Sequence, residues 1–296
     1  MSILSNLFGG IFRNKKNFHY LSEHSFSDVD YQFPLVLNAD IDEPLMLSRA
    51  ELRAGLFLDG KPKVGLHTVG GIYLTQLISQ GGGVLAFIDD AKDSLEAIQS
   101  SANFYNRLSD VIVINELNAS EVTKGDLLMF IKQNKIIVIC CDQELTGEAQ
   151  DRVRFANLIV RLASVMIKAP NDHESNRPPL TLLASSAFFG KVGVHDLFPL
   201  LNTQARDMNW GRILVDSSEK VYSMGYNETY STHLGFCTEG GHDYAEERAQ
   251  LEVGQFVMAV DGKLVLEEPE YAKFVTIPPL AKLKMEPVMI ADQSGE

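Results

Sequence analysis

Ile72-Tyr-Leu-Thr-Gln-Leu-Ile-Ser-Gln-Gly-Gly-Gly-Val-Leu-Ala-Phe-Ile-Asp-Asp90 holds a helix, a stop and a strand in immediate succession. The apolar spacing of Ile72, Leu74, Leu77 and Ile78 suits a short helix over 72–79. Gly81-Gly-Gly83 ends it, because glycine adopts the left-handed backbone that closes helices without steric cost. Val84-Leu-Ala-Phe-Ile88 then has the length and composition of a strand. C-terminal to it the same alternation continues: a helix over 94–108, a strand at 111–115, a helix over 124–133 and the strand 136–141. Strands separated by helices of this size build a parallel sheet covered by helices.

Further on, Val153, Ala156, Leu158, Ile159, Leu162 and Met166 recur near the helical period and predict a long helix over 146–168, followed by a polar loop at 171–179. Leu180–Leu183 opens a second αβ stretch, with a helix over 197–208 and the strand 212–215, where the sheet is expected to close. Gln255–Val260 and Lys263–Leu266 read as a hairpin, joined by Asp261-Gly262. N-terminal to the opening stretch, 52–58 is expected as a strand ending at the Asp59-Gly60-Lys61-Pro62 turn. Residues 1–50 read as irregular, broken by Pro34 and Pro44. Three regions are therefore expected: an N-terminal irregular segment 1–50, an α/β domain 51–270, and a C-terminal tail 271–296, disordered beyond Pro287.

With 39 acidic against 26 basic residues the formal net charge is −13. Nucleic-acid binding rests on Lys and Arg neutralising phosphates, so no nucleic-acid partner is expected; the acidity reads as solubility or as a docking surface for basic partners. The longest apolar runs, such as 135–141, are of strand length and far below the roughly 20 residues of a membrane-spanning helix. The start, Met1 to Lys16, lacks the features of a secretory signal, so a cytoplasmic location is expected. Cys140 and Cys141 are adjacent on a predicted strand and face opposite ways, and Cys237 is distant, so no disulfide framework is expected.

Three stretches, in order, resemble the ATPase domain of type IV secretion coupling proteins, the FtsK-related motors that include DotL. The first is Gly65-Leu-His-Thr-Val-Gly-Gly-Ile72 with Leu74, Leu77, Ile78, Gly81–Gly83, Val84–Ile88 and Asp89-Asp-Ala-Lys-Asp93. It is similar to the family's phosphate loop, helix, glycine turn, strand and D-x-K-x-D signature, with the lysine displaced by one. The strand ending at Asn115 also has a counterpart in the family. The second stretch, Ile136 to Lys168, resembles the strand and long helix between the two nucleotide-binding motifs. The third, Pro179-Leu-Thr-Leu-Leu-Ala-Ser-Ser-Ala-Phe-Phe189 with Gln204-Ala-Arg206 and Ile213–Val215, resembles the acidic strand, the Gln-Ala-Arg helix and the next strand. The resemblance covers roughly residues 50 to 270. It implies an α/β, P-loop NTPase-like (RecA-like) fold: a mostly parallel sheet flanked by helices, with a C-terminal β-hairpin.

The resemblance also implies what has been lost. A phosphate loop needs a lysine after its second glycine and then a Ser or Thr that holds magnesium. On the Gly65–Gly70 spacing those positions hold Gly71 and Ile72. The family's acidic pair falls on Ala184 and Ser185, and its sensor glutamine on Asp216 or Ser217. No catalytic residue, cofactor or metal is therefore expected.

Other candidate sites are less specific. His233, Cys237, His242 and Asp243 are zinc-ligand types, but their spacing fits no standard zinc pattern and reads as a surface loop. Asp89, Asp90 and Asp93 stand at a strand end where ligands of α/β sheets collect, yet they read as a helix N-cap with solvated acids. Gly-x-Ser-x-Gly is absent. Ile3, Leu4, Leu7, Phe8, Ile11 and Phe12 beside Arg13, Lys15 and Lys16 read as a docking element or as a segment packed on its own domain; Gly9-Gly10 weighs against an isolated helix. The function expected is a non-catalytic adaptor subunit of a bacterial secretion coupling complex, contacting other proteins of that complex and, through them, the inner membrane. The alternative is a nucleotide sensor or ATPase with a rearranged site.

Overall fold

The computed structural model describes residues 35–38, 45–61, 66–89, 93–141, 149–169, 180–217, 230–236, 248–252, 255–261, 263–264 and 270–271. The N-terminal segment 1–34, the polar loop 171–179 and the tail beyond 271 lie outside these residues. Within them the expected alternation of strands and helices is present, and it builds a ten-stranded, mostly parallel sheet flanked by helices.

The chain begins with β1 (Leu35–Asn38) and β2 (Leu45–Leu47), a two-stranded antiparallel ribbon where irregular chain was expected. Leu35, Leu37, Met46 and Leu47 are buried in the same core as the sheet. Next comes α1 (Arg49–Ala54), where a strand was expected from residue 52. A capping box decides it: Ser48 Oγ accepts from the Glu51 amide at 3.2 Å, and Glu51 Oε2 accepts from the Ser48 amide at 2.8 Å. Gly55, at φ 105°, breaks the helix and starts β3 (Leu56–Asp59).

The sheet continues through α2 (Leu66–Ser79), β4 (Val84–Ile88), α3 (Asp93–Phe104), β5 (Val111–Ile114), α4 (Lys124–Lys132) and β6 (Ile136–Cys140). Then follow α5 (Ala149–Met166), β7 (Thr181–Ser185), α6 (Ser186–Val192), α7 (Phe198–Asp207) and β8 (Gly211–Asp216). The strand order runs β9-β3-β8-β7-β4-β6-β5, all parallel, where β9 is Thr232–Phe236. The sheet thus extends past β8 rather than ending there: β9 adds on the far side of β3, and β10 (Gln255–Val260) pairs antiparallel with β9. β10 and β11 (Lys263–Leu264) form the expected hairpin, and β12 (Glu270–Tyr271) pairs with β10.

The sheet separates two apolar layers, and period-two alternation assigns each strand residue to one of them. Val84, Ala86, Ile88, Ile136, Val138 and Cys140 face the layer that α2 covers. Leu85, Phe87, Ile137, Ile139 and Cys141 face the layer of α5, α6 and α7. The two cysteines accordingly lie on opposite faces, as expected, and burial pushes the Cys141 thiol up to about 11. Buried polar side chains tie elements together. Arg107 donates to the carbonyls of Ile78, Gly82 and Asn134 at 3.1, 2.8 and 3.0 Å, gathering the end of α2 and the turn before β6 onto one guanidinium. Arg212 on β8 donates to the carbonyls of Arg53 and Ala54 at 3.1 and 2.7 Å, satisfying the C-terminus of α1.

Candidate functional site

Parallel α/β sheets place their loops and ligands at the carboxyl ends of the strands, and here those ends carry acids. Asp59 closes β3 and Asp216 closes β8; the two are paired in register and both are buried. Asp89 follows β4 directly. Each acid has internal donors. Ser186 Oγ donates to Asp216 Oδ1 at 2.6 Å, and Ser185 Oγ donates to Asp89 Oδ1 at 3.1 Å. Asp59 faces Arg248, whose Nη1 donates to Oδ2 at 3.0 Å while Nη2 lies 3.0 Å from Oδ1, the two-pronged pairing that a guanidinium fork suits. The same guanidinium donates to the Asp59 carbonyl at 3.1 Å and to the Phe236 carbonyl at 2.9 Å. His233, stacked on Phe57 with ring centroids 5.0 Å apart, brings Nε2 to 2.5 Å from Asp59 Oδ1.

The sequence-based expectations land here in altered form. β3 ends at Asp59 and α2 begins at Leu66, so the passage from strand to helix spans residues 60–65 rather than 65–70. Gly65 itself lies outside the described residues, while Gly70, Gly71 and Ile72 are in the second turn of α2 and not in a loop. Gly70 matters for packing, because a Cβ there would stand 3.1 Å from Val215 Cγ2, and its absence lets α2 lie close on the sheet. Ile72 is buried in the core. In the sequence between β3 and α2, Gly60 and Gly65 are separated by four residues, and Leu66 follows the second glycine. Leu66 is buried among apolar side chains.

Ala184 and Ser185 do stand at the end of β7, next to β8. Ala184 packs in the core, and Ser185 with Ser186 donates to the neighbouring strands' carboxylates. Asp216, expected near the sensor position, is the last residue of β8. Of the zinc-type residues only His233 is described, and it is committed to Asp59; Cys237, His242, Asp243 and Asp90 lie outside the described residues. Asp93 begins α3. Among the described residues no group of three or more His, Cys, Asp or Glu side chains is placed to hold a metal ion.

Sequence reasoning missed the Asp59–Arg248–His233 cluster. Its members are 174 and 189 positions apart from Asp59, and no spacing rule links them. The one local signal is an aspartate ending an otherwise apolar strand, Leu56-Phe-Leu-Asp59.

A separate cavity of about 10 Å³ at the ends of β5 and β6 is lined by Glu116, Cys141, Asp151, Arg152, Phe155 and Lys191. It has room for one water molecule and none for a nucleotide.

No protein-family model matches the chain, and no curated protein matches it. Among solved structures the chain is similar to the pCW3 conjugation coupling protein TcpA in its monomer form with ATPgS, at 11% identity over 86% of this chain and 68% of that one, with a TM-score of 0.48. It is similar also to the genome packaging NTPase B204 from Sulfolobus turreted icosahedral virus 2, at 13% identity over 76% of this chain and 99% of that one, TM-score 0.45. A third similar structure is the cytoplasmic domain of the Thermomonospora curvata type VII secretion ATPase EccC, at 11% identity over 92% of this chain and 32% of that one, TM-score 0.46. Among the described residues no helix is long and apolar enough to cross a membrane.

Proposed function

We propose that this chain is a non-catalytic adaptor subunit of a bacterial type IV secretion coupling complex, a relative of the coupling ATPases that works through protein–protein contacts. The reading places it in a Dot/Icm-like system as an accessory component such as DotZ, at the cytoplasmic face of the inner membrane through its partners. The order and spacing of the sequence motifs support the relation. One observation carries the loss of catalysis: the carboxyl ends of β3, β8 and β4 present Asp59, Asp216 and Asp89, each engaged by an internal donor.

A triphosphate laid across the ends of β8 and β4 meets the carboxylates of Asp216 and Asp89, and burial weakens the screening that would soften the repulsion. The position after the second glycine holds Leu66, which offers no counter-charge to a β or γ phosphate. The serines at the end of β7 donate hydrogen bonds to aspartates, where a hydrolytic site would need carboxylates free to hold a metal ion and polarise water.

Calorimetric titration of the full chain with ATP and magnesium, paired with a phosphate-release assay, tests this. The expected result is no binding heat in the micromolar range and no turnover. Saturable micromolar binding or measurable release would replace the adaptor reading with that of a nucleotide sensor or an ATPase with a rearranged site.

A further inference from the structure

β5 is the last strand of the sheet on its side, so one row of its backbone groups faces away from β6. In a parallel pair, alternate residues turn their amide and carbonyl toward the neighbouring strand and the others turn theirs away. The Val113 carbonyl and the Asn115 amide are outward groups, and a side chain beyond the edge meets both. Asn118 Nδ2 donates to the Val113 carbonyl at 3.1 Å, and Asn118 Oδ1 accepts from the Asn115 amide at 2.9 Å. One carboxamide thus stands where the backbone of a further strand would run. The same parity turns Val111 outward, and its amide donates back to the Leu108 carbonyl. Among the described residues, the Val111 carbonyl and the Val113 amide are what remains of the row without a partner.

An edge strand with open amides and carbonyls is a template for another strand, and it pairs with its own copy when donors and acceptors match under a two-fold axis. They match here. With the axis at Val113 and the strands antiparallel, the Val113 amide and carbonyl of one copy meet those of the other, and each Asn115 amide meets the other copy's Val111 carbonyl. Ile112 then lies opposite Ile114 on one face and Val113 opposite Val113 on the other, β-branched pairs that favour the contact. Asn118 occupies one member of each of these pairings, the Val113 carbonyl in the first and the Asn115 amide in the second. The groups left open can meet only after the strands slide by two residues, the step that keeps each side chain on its face. In that register the other half of each pair is already spent on Leu108 and Asn118. We infer that β5 is a self-pairing edge and that the Asn118 carboxamide is the latch that shuts it against a second copy of this chain. The turn after β5 keeps its shape without the latch. Asn115 Oδ1 accepts from the Leu117 amide at 3.1 Å, the Asn115 carbonyl accepts from the Ala119 amide at 2.9 Å, and Arg161 donates to the Ala119 carbonyl at 2.7 Å. The inference is independent of the adaptor reading.

Sedimentation equilibrium of the full chain over a range of concentrations tests this. The parent is expected to keep one mass, and Asn118→Ala to move toward twice that mass as concentration rises. Val113→Pro added to Asn118→Ala is expected to restore the parent's mass, because proline removes the outward amide at the centre of the pairing and is tolerated where that amide faces solvent. Hydrogen exchange supplies a second measurement: in Asn118→Ala the Val113 amide is expected to exchange more slowly at high concentration than at low. Circular dichroism checks that the variants keep the fold. Should Asn118→Ala lose it, Asn118→Ser, whose shorter side chain cannot reach both groups, carries the same expectation. A folded Asn118 variant that keeps the parent's mass overturns the inference. So does association that survives Val113→Pro, which places the contact elsewhere, or a parent dimer that Val113→Pro alone dissociates, which shows the edge unlatched. ATP binding or turnover would remove the adaptor reading and leave these outcomes unchanged.

Discussion

At the scale of single residues, the most consequential placement is Arg248, fully buried with its guanidinium on Asp59. Two carboxylates lie side by side there, because Asp59 and Asp216 are register partners on adjacent parallel strands. Burial makes an uncompensated charge costly, so the cation that neutralises Asp59 supports the whole strand end. Replacing Arg248 with Met is expected to lower stability by roughly 3–5 kcal/mol, the cost of stranding a buried charge, read as a fall in the urea midpoint. Adding Asp59→Leu is expected to recover much of that loss, since an apolar pair can replace a buried ion pair. If the single variant is as stable as the parent, the cluster contributes nothing to folding. None of this was legible in the sequence, where Arg248 stands in a polar stretch without distinguishing spacing. His233 was legible only as a metal-ligand type; its actual partner, Asp59, lies 174 positions away and reaches it through the parallel pairing of β3 with β9.

Among the elements, α2 shows how a correct residue pattern can be read with the wrong role. The glycines at 70 and 71 fit a phosphate-loop spacing in the sequence, yet both belong to the second turn of a 14-residue helix. They differ in what a side chain would meet. At Gly70 a Cβ would press on Val215 Cγ2 at 3.1 Å, while at Gly71 nothing lies within 4 Å. Glycine inside a helix costs about 0.5–1 kcal/mol relative to alanine through backbone entropy. Gly71→Ala is therefore expected to raise stability by about that amount, a rise in Tm of roughly 1–4 °C in a thermal scan. A loss of stability would mean that residue 71 needs a backbone that alanine resists, and the loop reading would return. The periodic elements were legible with shifts of up to three residues: β4, β5, β6, α4 and α5 stand where the sequence put them. α1 was misread because the capping box of Ser48 and Glu51 outweighed the apolar residues that suggested a strand. β9, whose five residues include Thr232, His233 and Gly235, carries no strand signature of its own.

For the whole molecule, charge sets the relation to other macromolecules. A chain at −13 repels a polyphosphate backbone on average, and the buried cation at the strand ends, Arg248, is already taken up by Asp59. Filter binding with duplex and single-stranded DNA at low salt is expected to retain no more than a non-binding acidic control. Retention that falls as salt rises would overturn this expectation. The sequence by itself determined the class of architecture, because alternating helix and strand periods have few ways to bury their apolar faces other than a helix-covered parallel sheet. It also determined the electrostatic sign of the molecule, which needs only counting. Tertiary structure alone decided the strand order, the join between β3 and α2, and the partners of Asp59, Asp216 and Asp89. Those depend on which strand ends become neighbours, and neighbours far apart in the chain are chosen by packing and hydrogen-bond register rather than by any local preference of the residues concerned.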